Sequence, residues 1–254
     1  MTESELHRVL VIGVLATAGV VWLMLSFVTA PYGRHARSGW GASMPVRWAW
    51  VVMESPALFG FAAIYALGDR ALSFVPLCLC AMWLTHYAYR TLVYPVVSYA
   101  TSPARTPVVI VAMGFVFNAV NAYVNARQLS ALGPALDSAW ILDPRFTLGV
   151  LLFVLGLTTN RWADRILRGL RHPGETGYRI PRGGLYERVV SPNYLGEILQ
   201  WAGWAIACWS LAGLAFAVFT AANLIPRARA HLRWYRAQFP GFPRDRRAII
   251  PFVL

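Results

Sequence analysis

Long apolar runs recur along the whole 254-residue chain, and they decide what it can become. Apolar residues fill 57% of its positions, more than one soluble core of this length needs. Residues 6–28 are long enough for a helix across a hydrocarbon core of ~30 Å. Further runs follow at 46–67, 72–97, 107–129 and 145–167. The last apolar stretch, 194–226, would be about 50 Å long as one helix, more than a bilayer needs. Residues 161–188 and 227–247 hold seven arginines each, so both blocks belong on the cytoplasmic side. They share a side only if the chain between them crosses an even number of times. The stretch therefore splits near Ser210 to Gly213 into spans 193–209 and 211–230. The expectation is an all-α, multi-pass membrane protein of seven transmembrane helices, N-terminus outside and C-terminus cytoplasmic. It forms one integral membrane domain over 1–254. The first span lacks a small-residue cleavage site, which predicts a permanent helix rather than a signal peptide.

The formal charge of +12 does not point to nucleic acid, because the charges cluster between apolar spans instead of forming a basic face with interleaved aromatics. Every basic side chain is arginine, which excludes a lysine nucleophile or Schiff base. A GC-rich genome explains the bias as well as phosphate binding does. Cys78, Cys80 and Cys208 lie in apolar runs without zinc spacing and are expected to be inert core thiols, with no metal.

Ionisable groups inside spans are costly and point to function unless a partner explains them. Glu54, beside Pro56, either pins two helices through Arg90 or His86 or is a buried acid that orients or protonates a substrate oxygen. Tyr87, Arg90 and Tyr94 share a helix face at i, i+3, i+7, and so do Asn118, Asn121 and Asn125. The asparagine stripe is open between interhelical hydrogen bonding and a ligand-lined cavity. Arg90, Asn118 and Asn121 are the candidate substrate-binding residues.

Asn160, Asp164 and Arg168 repeat at i, i+4, i+8 before a polar, glycine-rich insert that interrupts the apolar sequence. Arg171 with Arg179 can clamp phosphates, and Asp164 or Asn160 can bind ribose hydroxyls. Arg227, His231 and Tyr235 supply a second basic and aromatic wall. Two such walls on one membrane face imply an anionic ligand such as a nucleotide. Neither G-x-G-x-x-G nor a P-loop occurs, so it is not held by a Rossmann or P-loop domain.

These residues carry a resemblance. Glu54, His86-Tyr87-x-x-Arg90-Thr91-x-x-Tyr94, Gly177-Tyr178-x-Ile180-Pro181-x-Gly183-Gly184-Leu185-Tyr186, Ser191-Pro192-Asn193-Tyr194-Leu195-Gly196-Glu197, His231-x-x-x-Tyr235 and Ile249-Ile250-Pro251-Phe252 are similar to the steroid 5α-reductase family. The resemblance implies NADPH-dependent reduction of the C4–C5 double bond of a Δ4-3-ketosteroid or similar enone lipid. It implies that Glu54 and Tyr87 are catalytic and hold the C3 ketone. It assigns Asn160, Asp164, Arg171, Tyr178, Asn193, Glu197, Arg227, His231 and Tyr235 to the cofactor, with Arg105 and Tyr94 less closely matched, and the residue pattern adds Arg168 and Arg179 to that set. Helices one to four would form the substrate cavity, and helices five to seven, with loop 168–193 and the C-terminal tail, would bind NADPH. We read the chain as a bacterial homologue, in the inner membrane, or in the endoplasmic reticulum membrane if eukaryotic. Its partners would be a steroid-like substrate and membrane lipids, with no protein partner evident. A membrane methyltransferase of the isoprenylcysteine carboxyl type, using S-adenosylmethionine, is the main alternative, and a non-catalytic scaffold or transporter is a weaker one.

Overall fold

The computed structural model describes residues 1–170 and 177–254. Its architecture is seven helical rods. They are α1 (Glu3–Phe27), α2 (Val46–Ala66), α3 (74–99), α4 (Val108–Leu132), α5 (Pro144–Gly169), α6 (Pro192–Cys208) and α7 (Leu211–Gln238). Five of them, α1, α2, α4, α5 and α7, are long and apolar enough to cross a membrane. At 17 residues, α6 is short for a span.

The expected break in the last apolar stretch is present. Trp209 turns the chain in the left-handed region at φ 42°, and the Ser210 hydroxyl accepts the Gly213 N–H at 3.1 Å, capping α7. Strong caps also start α1, where Thr2 and Glu5 bond reciprocally, and α5, where Asp143 accepts from the Arg145 N–H.

One element departs from the all-α expectation. Strands β1 (Ser43–Pro45) and β2 (Arg105–Pro107) pair antiparallel, Met44 opposite Thr106. The cause is local: Met44 and Thr106 each precede a proline, which pushes them into extended conformation. Pro45 and Pro107 in turn flank the first turns of α2 and α4. The Val46 N–H donates to the Ala104 carbonyl and the Val108 N–H to the Ala42 carbonyl, each at 2.9 Å. Each helix start thus finds its acceptor on the other's strand.

Within α2, Glu54-Ser55 leads into a π turn over Pro56–Gly60. Proline lacks an N–H, so carbonyls one turn earlier lose their helical donors. Neighbouring side chains serve this region instead. Asn118 donates to the Met53 carbonyl at 2.7 Å, Thr91 to the Glu54 carbonyl at 3.3 Å, and Trp83 to the Ala57 carbonyl at 2.7 Å. A second π turn, Tyr89–Val93, directly follows Tyr87 on α3. Both turns adjoin a candidate catalytic residue, and they lock α2, α3 and α4 together there.

Helices α5 and α6 meet backbone to backbone through Gly149, Gly156, Gly196 and Gly203. A Cβ at Gly156 would lie 2.3 Å from the Gln200 nitrogen, and one at Gly196 would lie 2.5 Å from the Asn160 nitrogen. Close approach of this kind needs residues without side chains. It brings Asn160 and Asp164 beside the start of α6. Trp83, Trp201, Trp204, Phe61 and Phe216 fill the centre of the bundle.

The described part of the insert is strapped to the C-terminal tail. Buried Arg246 donates to the Pro181 carbonyl at 2.8 Å and pairs with Glu187 at 3.0 Å. Arg247 and Arg188 or Val190 exchange backbone bonds at 2.8 and 2.9 Å. The Gly183 N–H, followed by Arg246, holds the Glu187 carboxyl below its ordinary value of 4.5. A lowered folded value means that the strap's contribution is present above pH 4.5 and is lost as pH falls through the folded value. The protection factors of Val190 and Arg247, taken against the intrinsic exchange rate at each pH, are therefore expected to fall on acidification into that range, and Glu187→Gln is expected to remove this loss. Protection factors that stay flat through the same range would contradict this assignment.

Candidate active site

Two polar clusters lie side by side at the arginine-rich end of the bundle. The first is built on α2, α3 and α4. Asn118 donates to Glu54 Oε2 at 3.3 Å, and Arg90 stands 4.0 Å from Glu54 Oε1. That separation is an ion pair too long for a hydrogen bond. Arg90 also lies over the rings of Trp50 at 4.4 Å and Tyr94 at 4.8 Å, which hold its guanidinium in place. Tyr87 is buried, its ring 5.0 Å from Trp83 and 5.6 Å from Trp201. Its hydroxyl makes no hydrogen bond among the described residues. Of the two partners expected for Glu54, Arg90 is the one present. His86 instead bonds Gln200, Nδ1 to Nε2 at 2.8 Å.

The asparagine stripe divides. Asn118 serves Glu54, whereas Asn125 donates to Asn121 Oδ1 at 2.9 Å and Trp204 donates to Asn125 at 3.4 Å. Asn121 Nδ2 is buried and without a partner among the described residues. Interhelical bonding therefore accounts for Asn125 but not for all of Asn121.

The second cluster joins α5, α6 and α7. Asn160 donates to the Asn193 carbonyl at 2.9 Å, and the Asn193 amide donates to Asp164 Oδ1 at 3.2 Å. Asp164 Oδ2 is buried and unpartnered among the described residues. Arg168 reaches the Tyr89 hydroxyl at 3.4 Å. Glu197 follows Asn193 by one turn on α6 and lies within electrostatic reach of both Glu54 and Arg90. Arg90 also senses Asp164, so it stands between the clusters.

On α7, Arg227 lies over Tyr32 at 4.9 Å and Tyr194 at 5.1 Å, and His231 stacks on His35 at 5.5 Å. Burial, then Arg34 and the other nearby arginines, push His35 down to about 4, so this ring is neutral near pH 7. Arg34 is enclosed by Tyr178, Trp234 and Tyr235 at 5.5, 5.1 and 4.7 Å. The loop after α1 thus closes against the α7 wall.

Four candidates stand apart. Tyr94 packs within the first cluster rather than the second. Arg105 is exposed on β2 and bonds Ser43 across the strand pair, outside both clusters. Arg171 lies outside the described residues, and Arg179 is exposed on the insert. The sequence reading missed Arg34, His35, Gln200 and Arg246. Gln200 and Arg246 are buried, and Arg34 and His35 half-buried, through contacts between segments far apart in the chain. The one available signal was Gln200's position on the same α6 face as Asn193 and Glu197, at i+7 and i+3.

A nucleotide fits these donors and acceptors. Asp164 Oδ2 is a buried acceptor with no partner among the described residues, and a ribose hydroxyl is a donor of the kind it can take. Arg168 and Arg227 bring positive charge to the same end for phosphates.

Comparison with known proteins bears on the same residues. A family model described as 3-oxo-5-alpha-steroid 4-dehydrogenase matches residues 104–254. The steroid 5-alpha-reductase DET2 of Gossypium hirsutum is 41% identical over 235 residues, covering 91% of each chain. The 3-oxo-5-alpha-steroid 4-dehydrogenase 1 of Bos taurus is 41% identical over 239 residues, with 92% of each chain covered. The human protein of that name is 43% identical over 227 residues, 87% of this chain and 85% of its own. With a family model spanning more than half its length and relatives aligned over most of it, this chain belongs to the 3-oxo-5-alpha-steroid 4-dehydrogenase family, the steroid 5-alpha-reductases.

Proposed function

We propose that this membrane protein reduces the C4–C5 double bond of a Δ4-3-ketosteroid, or of a similar enone lipid, with NADPH. The observation that carries the reading is Tyr87, a buried side chain whose hydroxyl makes no hydrogen bond among the described residues, within electrostatic reach of Glu54. Such a phenol is a donor held ready for an oxygen that the protein itself does not supply.

Tyr87 and Glu54, the latter as the acid, donate to the C3 ketone oxygen, where negative charge develops during reduction. Asn118 fixes Glu54 by binding Oε2, and Arg90 stands 4.0 Å from Glu54 Oε1. Asp164, Asn160 and Asn193 hold the ribose region, and Arg168, Arg171, Arg179 and Arg227 face the phosphates, with Tyr178, Glu197, His231 and Tyr235 completing the wall. When bound there, NADPH supplies a hydride equivalent to the enone β-carbon, and the α-carbon takes up a proton. The apolar helices α1–α4 accept the sterol body and exclude water. The orientation that suits this chemistry puts the arginine-rich end in the cytoplasm, where NADPH is available, whether the bilayer is a bacterial inner membrane or that of the endoplasmic reticulum.

The methyltransferase alternative makes no use of Glu54 beside Tyr87. Cofactor choice separates the two readings. NADPH at a hundred times its Kd is expected to stabilise the protein by about 2.7 kcal/mol, with S-adenosylmethionine inert. Stabilisation by S-adenosylmethionine alone would favour methyl transfer. Incubation with NADPH and a Δ4-3-ketosteroid tests the reaction itself, and an unaltered steroid mass would count against it.

A further inference from the structure

The buried pair His86 and Gln200 has no place in the chemistry described so far. Gln200 is fully enclosed and His86 is 3% exposed, so each polar group depends on the other. Their bond runs between α3 and α6. On α6, Gln200 lies on the face that carries Asn193 and Glu197, one element of the proposed cofactor wall. On α3, His86 immediately precedes Tyr87, its ring edge-on to the phenol ring at 5.0 Å. Trp201, next to Gln200, packs on both rings, 4.8 Å from His86 and 5.6 Å from Tyr87. The α6 side is rigidly held, since Gly156 of α5 abuts the Gln200 backbone.

We propose that Gln200 and His86 form a positioning clamp that sets the Tyr87 hydroxyl relative to the cofactor wall. Gln200 is then a positioning residue for enone reduction, acting through His86 and not on the substrate. The inference rests on the proposed reduction.

The chemistry of the pair is specific. His86 Nδ1 stands 2.8 Å from Gln200 Nε2 and 3.1 Å from Oε1, so the shorter of the two contacts is the one the Nε2 amide donates. Donation in that direction requires an unprotonated Nδ1, which leaves the imidazole neutral with its proton on Nε2. The clamp thereby fixes one tautomer and one ring orientation, and the adjacent phenol inherits its placement. Misplacing a reacting group by about 1 Å can lower a rate by roughly a hundredfold.

The test uses the full-length protein with NADPH and a Δ4-3-ketosteroid. It measures single-turnover rate, ketosteroid KM, NADPH Kd by tryptophan quenching, the thermal midpoint and the ¹⁵N shifts of His86. For Gln200→Leu, the rate is expected to fall about tenfold to a hundredfold while KM and Kd stay within about twofold. Gln200→Glu, whose carboxylate only accepts, demands a proton on His86 Nδ1 and is expected to leave the rate impaired. The double variant His86→Phe/Gln200→Leu removes both polar groups, so it is expected to regain the thermal midpoint without the rate. An unimpaired rate in Gln200→Leu, or a rate that returns with the thermal midpoint in the double variant, would overturn the clamp. So would a wild-type His86 found protonated at Nδ1, whether or not the protein turns over an enone. Absence of any wild-type turnover, with Nδ1 unprotonated, would count against the proposed reduction instead.

Discussion

Tyr87→Phe is expected to lower kcat by about a hundredfold to a thousandfold, the loss seen when one donor to a developing oxyanion is removed. NADPH Kd and the thermal midpoint should hardly change. The reason is in the packing: Trp83 and Trp201 grip the ring, and the hydroxyl makes no hydrogen bond inside the described protein. Only a group intended for substrate is lost. Glu54→Gln should cause a similar fall in kcat, with NADPH still bound, because the amide keeps its place beside Asn118 but forfeits the acid. Steady-state kinetics with both variants checks the pair. Retention of kcat in both would remove the roles assigned to these side chains.

Gly156→Leu should do something different in kind. A Cβ alone would stand 2.3 Å from the Gln200 nitrogen and 2.4 Å from the Gly196 carbonyl oxygen, both backbone atoms that cannot turn aside. Overpacking of this sort costs about 1–3 kcal/mol and sometimes more. A leucine here must push α5 and α6 apart, separating Asn160 and Asp164 from Asn193. NADPH binding and the folded state should fail together, read as loss of the monodisperse peak and of nucleotide-induced thermal stabilisation. Gly19→Leu on α1, where nothing lies within 4 Å of the added Cβ, is the matched control and should be tolerated. Equal behaviour of the two variants would contradict the account of how the second cluster is assembled.

The helical rods were legible in the sequence because their signals are local or additive. Apolar length gave each rod, and the parity argument from the two arginine blocks located the break that Trp209 and Ser210 make. The pairing of β1 with β2 was not legible, since each strand is three residues long and its partner is about sixty residues away. Nor was the π turn after Pro56, because its stability depends on Asn118, Thr91 and Trp83 arriving from other helices. In the site, periodicity grouped Asn160 with Asp164 correctly. It also grouped Asn118, Asn121 and Asn125 as one stripe, whereas in three dimensions Glu54 takes the first and Trp204 the last. Arg34 reads as a flanking charge in sequence. Its enclosure by Tyr178, Trp234 and Tyr235 follows from tertiary packing alone.

The central claim is that one end of this bundle holds NADPH against an enone whose ketone Glu54 and Tyr87 grip. The direct measurement is a single turnover of purified protein with NADPH and a Δ4-3-ketosteroid, following NADPH absorbance and product mass together. The account predicts one NADPH consumed for each product formed, that product being heavier than the substrate by two hydrogens, with Tyr87→Phe binding NADPH but failing to convert it. Loss of NADPH without the saturated product, or full conversion by Tyr87→Phe, would contradict it.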